Sequence, residues 1–199
     1  MGTPGEPTPP HPGKNWAAQA PLEDLQDTQD LAEKLAAHMR AGDLLVLTGE
    51  LGAGKTTFTQ ALAEALGVGG QITSPTFVLS RIHRSQTGGP DLVHVDAYRT
   101  DADGLMSLDL LATAPQAVTV VEWGRGLVEH ELAGPDGSWL DLELTHRPPA
   151  YTAPEPAAGA GFITDFSETE EDLRGTPRTA VLRGYGPRWP TSDSLILQG

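Results

Sequence analysis

The chain has 199 residues, 38% of them hydrophobic, which suits one α/β domain with irregular additions. It has no cysteine, which excludes disulfide frameworks, thiolate zinc sites and iron–sulfur clusters. Thirteen Lys and Arg against 27 Asp and Glu give a net charge of −14, which argues against autonomous nucleic-acid binding and leaves room for a local basic patch at most.

Met1–Ala20 has five prolines in its first 12 residues and reads as a disordered leader before a domain over residues 21–190. Leu31, Leu35 and Met39 recur every fourth residue, predicting an amphipathic helix over Thr28–Ala41. Asp27 or Thr28 would be its N-cap and Gly42 its stop. Leu44–Leu47 is a short apolar run, predicted as a buried strand. The next helix runs from Lys55 to Leu66, with Phe58, Leu62 and Leu66 on one face and Gly67 closing it.

Gln71–His83 reads as a loop, Thr73-Ser74-Pro75-Thr76-Phe77, feeding a strand. The turn SQTGGP (85–90) joins that strand to Asp91–Asp96, predicting a hairpin. Ala102–Ala112 looks helical, through Leu105, Leu108 and Leu111. Ala117–Val121 is a β-branched run ending in Glu122-Trp123-Gly124, and a short helix is expected over Leu127–Leu132.

Trp139–Thr145 alternates apolar and polar residues, as a half-solvated strand does. Pro148–Pro177 is an acidic insertion, with six acids and one arginine between Ala150 and Gly175. It reads as a solvated loop; the alternative is a partner-binding segment anchored by Phe162, Ile163 and Phe166. Arg178–Tyr185 is a last strand, and residues 191–199 form a tail. No stretch approaches transmembrane length and the N-terminus has no signal-peptide core, so a cytoplasmic location without membrane contact is expected.

The chemistry concentrates at Gly49–Thr56, GELGAGKT, which fits the phosphate-loop (Walker A) pattern between a strand and a helix. Its glycines let the backbone curl so that N–H groups point inward, and the helix start adds its positive dipole end. The nucleotide-binding set is Glu50, Leu51, Gly52, Ala53, Gly54, Lys55, Thr56 and Thr57. Lys55 would reach the β- and γ-phosphates, and the Thr56 hydroxyl would sit on Mg²⁺.

Two apolar strands end in an acid, Asp96 and Glu122. In an open α/β sheet the site lies at such strand ends, where an acid holds Mg²⁺ or orients water. His94 shares a face with Asp96, as a metal pair or as a hydrogen-bonded strand histidine. Thr73, Ser74 and Thr76 are either hydroxyl caps of a proline turn or a nucleotide switch. Trp123 is either a core indole or an adenine platform. No Asn-Lys-x-Asp guanine motif is present, which favours ATP over GTP.

GELGAGKTT, SPTF, HVDAYR and VEW, in this order and spacing, resemble the TsaE family, together with the opening helix and RTAVLRGYGPRW. The resemblance spans about Leu22–Trp189. It implies a P-loop NTPase-like three-layer α/β fold with a mixed, mainly parallel central sheet plus antiparallel strands. It also implies an Mg²⁺-dependent ATPase, slow without partners. That ATPase would act with TsaB and TsaD in forming N6-threonylcarbamoyladenosine beside the tRNA anticodon, with tRNA contacted mainly through those partners.

By the resemblance, Lys55, Asp96 and Glu122 are catalytic; Thr56, Glu122, Asp96 and the switch threonine Thr76 hold the metal; and Trp123 lies near the nucleotide. Arg125 departs from the pattern, since family members often carry an acid there. Two other readings stay open. A small-molecule or nucleotide kinase would draw lid arginines from Arg81, Arg84, Arg99 and Arg125. A nucleotide-dependent binding switch would turn over little ATP.

Overall fold

The computed structural model describes residues 11–70, 72–73, 75, 79–98, 100, 104–105, 110–133, 137–147 and 176–192. Its strands are β1 (Trp16–Leu22), β2 (Leu44–Thr48), β3 (Ser80–His83), β4 (Asp91–Asp96), β5 (Ala117–Glu122), β6 (Trp139–His146) and β7 (Arg178–Tyr185). The helices are α1 (Leu25–Ala36), α2 (Lys55–Ala65), α3 (Leu110–Thr113) and α4 (Glu129–Leu132). The acidic insertion, the tail from residue 193, the first ten leader residues and much of the expected Ala102–Ala112 helix lie outside the described residues.

The strands form one sheet in the order β1-β7-β6-β2-β5-β4-β3. Its centre, β6-β2-β5-β4, is parallel. Antiparallel pairs flank it: β1 and β7 on one side, β3 on the other. β3 and β4 make the hairpin that SQTGGP predicts.

Period-2 geometry splits β2 between two cores. Leu45 and Leu47 join α1 and α2 through Leu31, Leu35, Phe58 and Leu62. Leu44 and Val46 face the opposite layer, with Val93, Val95, Val128 and Leu132. This is a three-layer, P-loop NTPase-like α/β arrangement. Each fully buried leucine or phenylalanine here contributes about 1.5–3 kcal/mol of burial.

Two boundaries differ from expectation. The first helix starts at Leu25, because Asp24 is its N-cap: its carboxylate accepts the Asp27 N–H at 3.0 Å. Asp27 instead accepts the Glu23 N–H, at 2.7 Å. After Ala36 the chain tightens into i−3 bonds, His38 to Leu35 and Met39 to Ala36, so the regular helix ends before Gly42.

The second difference concerns the leader. Trp16–Leu22 is a full strand, paired with Arg178–Gly184 along its whole length. Its sequence, WAAQAPL, has no β-branched residue, and its proline is tolerated because the strand is at the sheet edge. The pairing depends on a distant partner. The Trp16 ring covers Gly184 so closely that a Cβ there would lie 2.3 Å from it.

Candidate functional site

β2 is parallel to both neighbours, so the C-terminal ends of the central strands share one rim. The phosphate loop leaves β2 at that rim. Gly49 has φ 147°, and a Cβ on it would meet the Leu144 carbonyl oxygen at 2.3 Å. Gly54 has φ 98° and serves as N-cap of α2. No larger residue fits either place without strain.

A cleft of about 490 Å³ opens over the loop. Leu51, Gly52, Gly54, Lys55, Thr56 and Thr57 line it from the loop and helix start, and Asp96, Tyr98, Glu122, Trp123 and Arg178 line it from the surrounding strand ends. Glu50 and Ala53 take other places. The Glu50 carbonyl accepts from Lys55, and Ala53 packs into the core behind the loop.

Lys55 is 5% exposed. Its Nζ donates to the carbonyls of Gly49 at 2.9 Å and Glu50 at 2.8 Å, and lies 3.7 Å from the Trp123 ring centroid. Burial lowers its pKa below the ordinary 10.5, while the carboxylates of Glu122 and Asp96 oppose that shift.

The Thr56 hydroxyl donates to Glu122 at 3.0 and 3.1 Å to the two carboxylate oxygens. Glu122 Oε1 also lies 2.8 Å from His94 Nε2, with both side chains buried. His94 is therefore the hydrogen-bonded strand histidine, attached to the acid itself. Asp96 ends β4 beside Glu122, in register with it, and accepts the Tyr98 N–H at 3.0 Å. Among the described residues no cluster of three His, Cys, Asp or Glu forms a metal cage.

Trp123 has φ 63°, a left-handed conformation that a bulky residue adopts at a cost of about 1–3 kcal/mol. Its backbone N–H is held by the Leu47 carbonyl at 2.9 Å. The turn swings the indole over Lys55 and against Tyr98, with 5.0 Å between the two ring centroids. Trp123 combines the two readings: half-buried, it packs against the core around Val93 and Val128 and also lines the cleft.

The predicted Lys55, Thr56, Asp96, Glu122 and Trp123 thus meet in one place. Ser74 and Thr76 lie outside the described residues. Tyr98 and Arg178 line the same cleft without having been singled out. Their signal was topological: Tyr98 follows a strand-end acid, and an antiparallel strand begins where parallel ones end.

Arg125 is buried, donating to Asp141 at 2.7 Å and to Glu143 at 3.0 Å on β6. Arg183 on β7 reaches Glu143 at 2.9 Å. The alternating β6 face is half-solvated at Trp139, Glu143 and Thr145 but closed at Asp141, which is 2% exposed and paired with Arg125. Burial opposes the charge on Arg125, yet its pKa is raised because the two carboxylates prevail.

The family model for the threonylcarbamoyl adenosine biosynthesis protein TsaE matches residues 22–150. Over 173 residues the chain is 42% identical to the tRNA threonylcarbamoyladenosine biosynthesis protein TsaE of Streptomyces coelicolor, covering 86% of this chain and 99% of that one. Over 125 residues it is 47% identical to the protein of the same name from Mycobacterium bovis, covering 59% and 74%. The crystal structure of Bacillus subtilis YdiB superposes with a TM-score of 0.59 at 27% identity, covering 87% of this chain and 89% of that one.

Proposed function

The chain belongs to the TsaE family, and from that premise we propose that it binds and hydrolyses ATP in support of tRNA threonylcarbamoyladenosine formation. The observation that carries the ATPase reading is the Thr56–Glu122 contact at 3.0 and 3.1 Å beside buried Lys55. Hydroxyl and carboxylate oxygens are hard donors that suit Mg²⁺, an ion that completes its shell with water and phosphate oxygens. The absence of an all-protein cage among the described residues fits that habit.

Thr56 and Glu122, with Asp96 nearby and Thr76 by resemblance, would hold Mg²⁺, which supplies neutralisation of phosphate charge. Lys55 turns from the Gly49 and Glu50 carbonyls to the terminal phosphates. Loop N–H groups and the α2 terminus cradle the rest. Of the two acids, one would hold the metal while the other orients the attacking water and takes its proton. The Trp123 ring covers the lysine and keeps bulk water from its amine.

The partner TsaD carries the transfer chemistry, and TsaD and TsaB make the main tRNA contacts, in keeping with this chain's charge of −14. Of the arginines offered for a kinase lid, two are committed elsewhere. Arg125 is tied to Asp141, and Arg84 pairs with Asp91 at 2.6 Å.

The test is phosphate release with and without TsaB and TsaD. The partners should stimulate release, and Lys55→Ala should lower it by about 100-fold or more. No stimulation and no effect of the substitution would sink the reading.

A further inference from the structure

We infer that Arg178 is a second phosphate-binding cation of this cleft, contacting the part of the polyphosphate common to ADP and ATP. This rests on the nucleotide reading above. Arg178 is the first residue of β7 and lies outside the region the family model matches.

Its guanidinium lies over the phosphate loop. Nε is 3.2 Å and Cζ 3.4 Å from where a Cβ on Gly54 would stand. So the glycine that caps α2 also leaves room for this arginine. The side chain is half-buried, and its Nε is shielded from solvent with no hydrogen-bond partner. No carboxylate of the described residues pairs with it, although the chain has twice as many acids as bases. Arg125, which is fully buried, has two acids beside it, Asp141 and Glu143, shared with Arg183. A desolvated donor aimed at an anion-binding loop and lacking an internal anion is suited to an external one.

The direction of approach sets which phosphates it meets. Asp96 and Glu122 come from β4 and β5, on one side of β2. Arg178 comes from β7, on the other side, beyond β6. The acids mark the Mg²⁺ and γ-phosphate end, so Arg178 serves the α- and β-phosphates. The described lining then holds Lys55 and Arg178 against Asp96 and Glu122. Without Arg178, Lys55 would be the one cationic side chain of the described lining against two acids.

Calorimetric titration of the full chain with Mg-ADP and with a non-hydrolysable Mg-ATP analogue tests this. Arg178→Gln should weaken both by about tenfold, the effect of one charge-assisted hydrogen bond, with the ratio of the two affinities kept within about threefold. Arg178→Met keeps the apolar stem over Gly54 and should show the same loss if the glutamine variant folds poorly. Unchanged ADP affinity in a folded variant would overturn the assignment. So would a loss confined to the ATP analogue, which would place Arg178 at the γ-phosphate. If the native chain bound neither nucleotide, the ATPase reading itself would fail; native binding with an unaffected variant would remove only Arg178's role.

Discussion

Glu122 is 2% exposed and takes hydrogen bonds from both sides, from Thr56 on α2 and against His94 on β4. Its position is fixed before any ligand arrives. Glu122→Gln preserves shape and an acceptor oxygen while removing the charge and the ability to take a proton. ATP affinity should stay within a few-fold, whereas single-turnover hydrolysis should fall by about 100-fold or more, the usual contribution of a general base. If modification by the assembled complex survived that substitution, ATP would act as a binding switch. Lys55 adds a pH signature. Its pKa is lowered by burial, so the free protein loses this proton as pH rises through a value below 10.5. Nucleotide affinity should weaken over that interval, and a titration across alkaline pH would follow it. The sign for stability is opposite: the unfolded chain holds the proton longer there, so this residue's contribution to stability rises with pH.

At the scale of elements, the loop after β5 is held to β6 by Arg125, and that loop follows directly on Glu122, the last residue of β5, and opens with Trp123. Burial raises the pKa of Asp141, with Arg125 the main opposing influence. Arg125→Met would leave Asp141 with Arg183 at 4.0 Å as its remaining ion partner. An uncompensated buried charge of this kind costs about 3–5 kcal/mol at neutral pH. A native carboxyl with a raised pKa binds its proton more readily than the unfolded chain does. The destabilisation should therefore shrink as pH falls towards that raised value. Urea denaturation of native and variant chains at pH 7 and pH 5 measures both effects; equal losses at the two pH values would remove Asp141 as the cause.

This network also shows where sequence reading stops. The phosphate loop, the hairpin and the strand-end acids are local patterns, each carried by a few adjacent residues. The alternation WLDLELT shows two faces, but not that the acidic one meets an arginine 16 residues upstream. Asp141 and Arg125 each look like ordinary surface charges until the sheet order is known. Tyr98 and Arg178 escaped for the same reason: they reach the cleft through strand positions rather than through a spacing.

At the scale of the whole molecule, the sheet would end in an open edge at β7 without β1. The chain's two ends close that side together. The Asn15 side chain donates to the carbonyls of Gly186 at 2.7 Å and Trp189 at 2.9 Å, and the Trp16 indole N–H donates to Trp189 at 2.9 Å. Trp189 is itself 3% exposed and belongs to the core shared with α1 and α2. The first strand therefore supports the rim from which Arg178 reaches the phosphate loop. Removing residues 1–22 would leave β7 held by β6 alone and expose, on its other side, backbone donors and acceptors that template association. The truncated chain should melt about 10 °C lower, equivalent to roughly 2.5–5 kcal/mol for a domain of this size, and should elute as oligomers in light-scattering chromatography. Trp16→Ala should give a smaller shift of about 5 °C while the chain stays monomeric, because the ladder survives and only the ring over Gly184 is lost. A truncated chain that melted like the native one and remained monomeric would mean that the folding unit begins at α1.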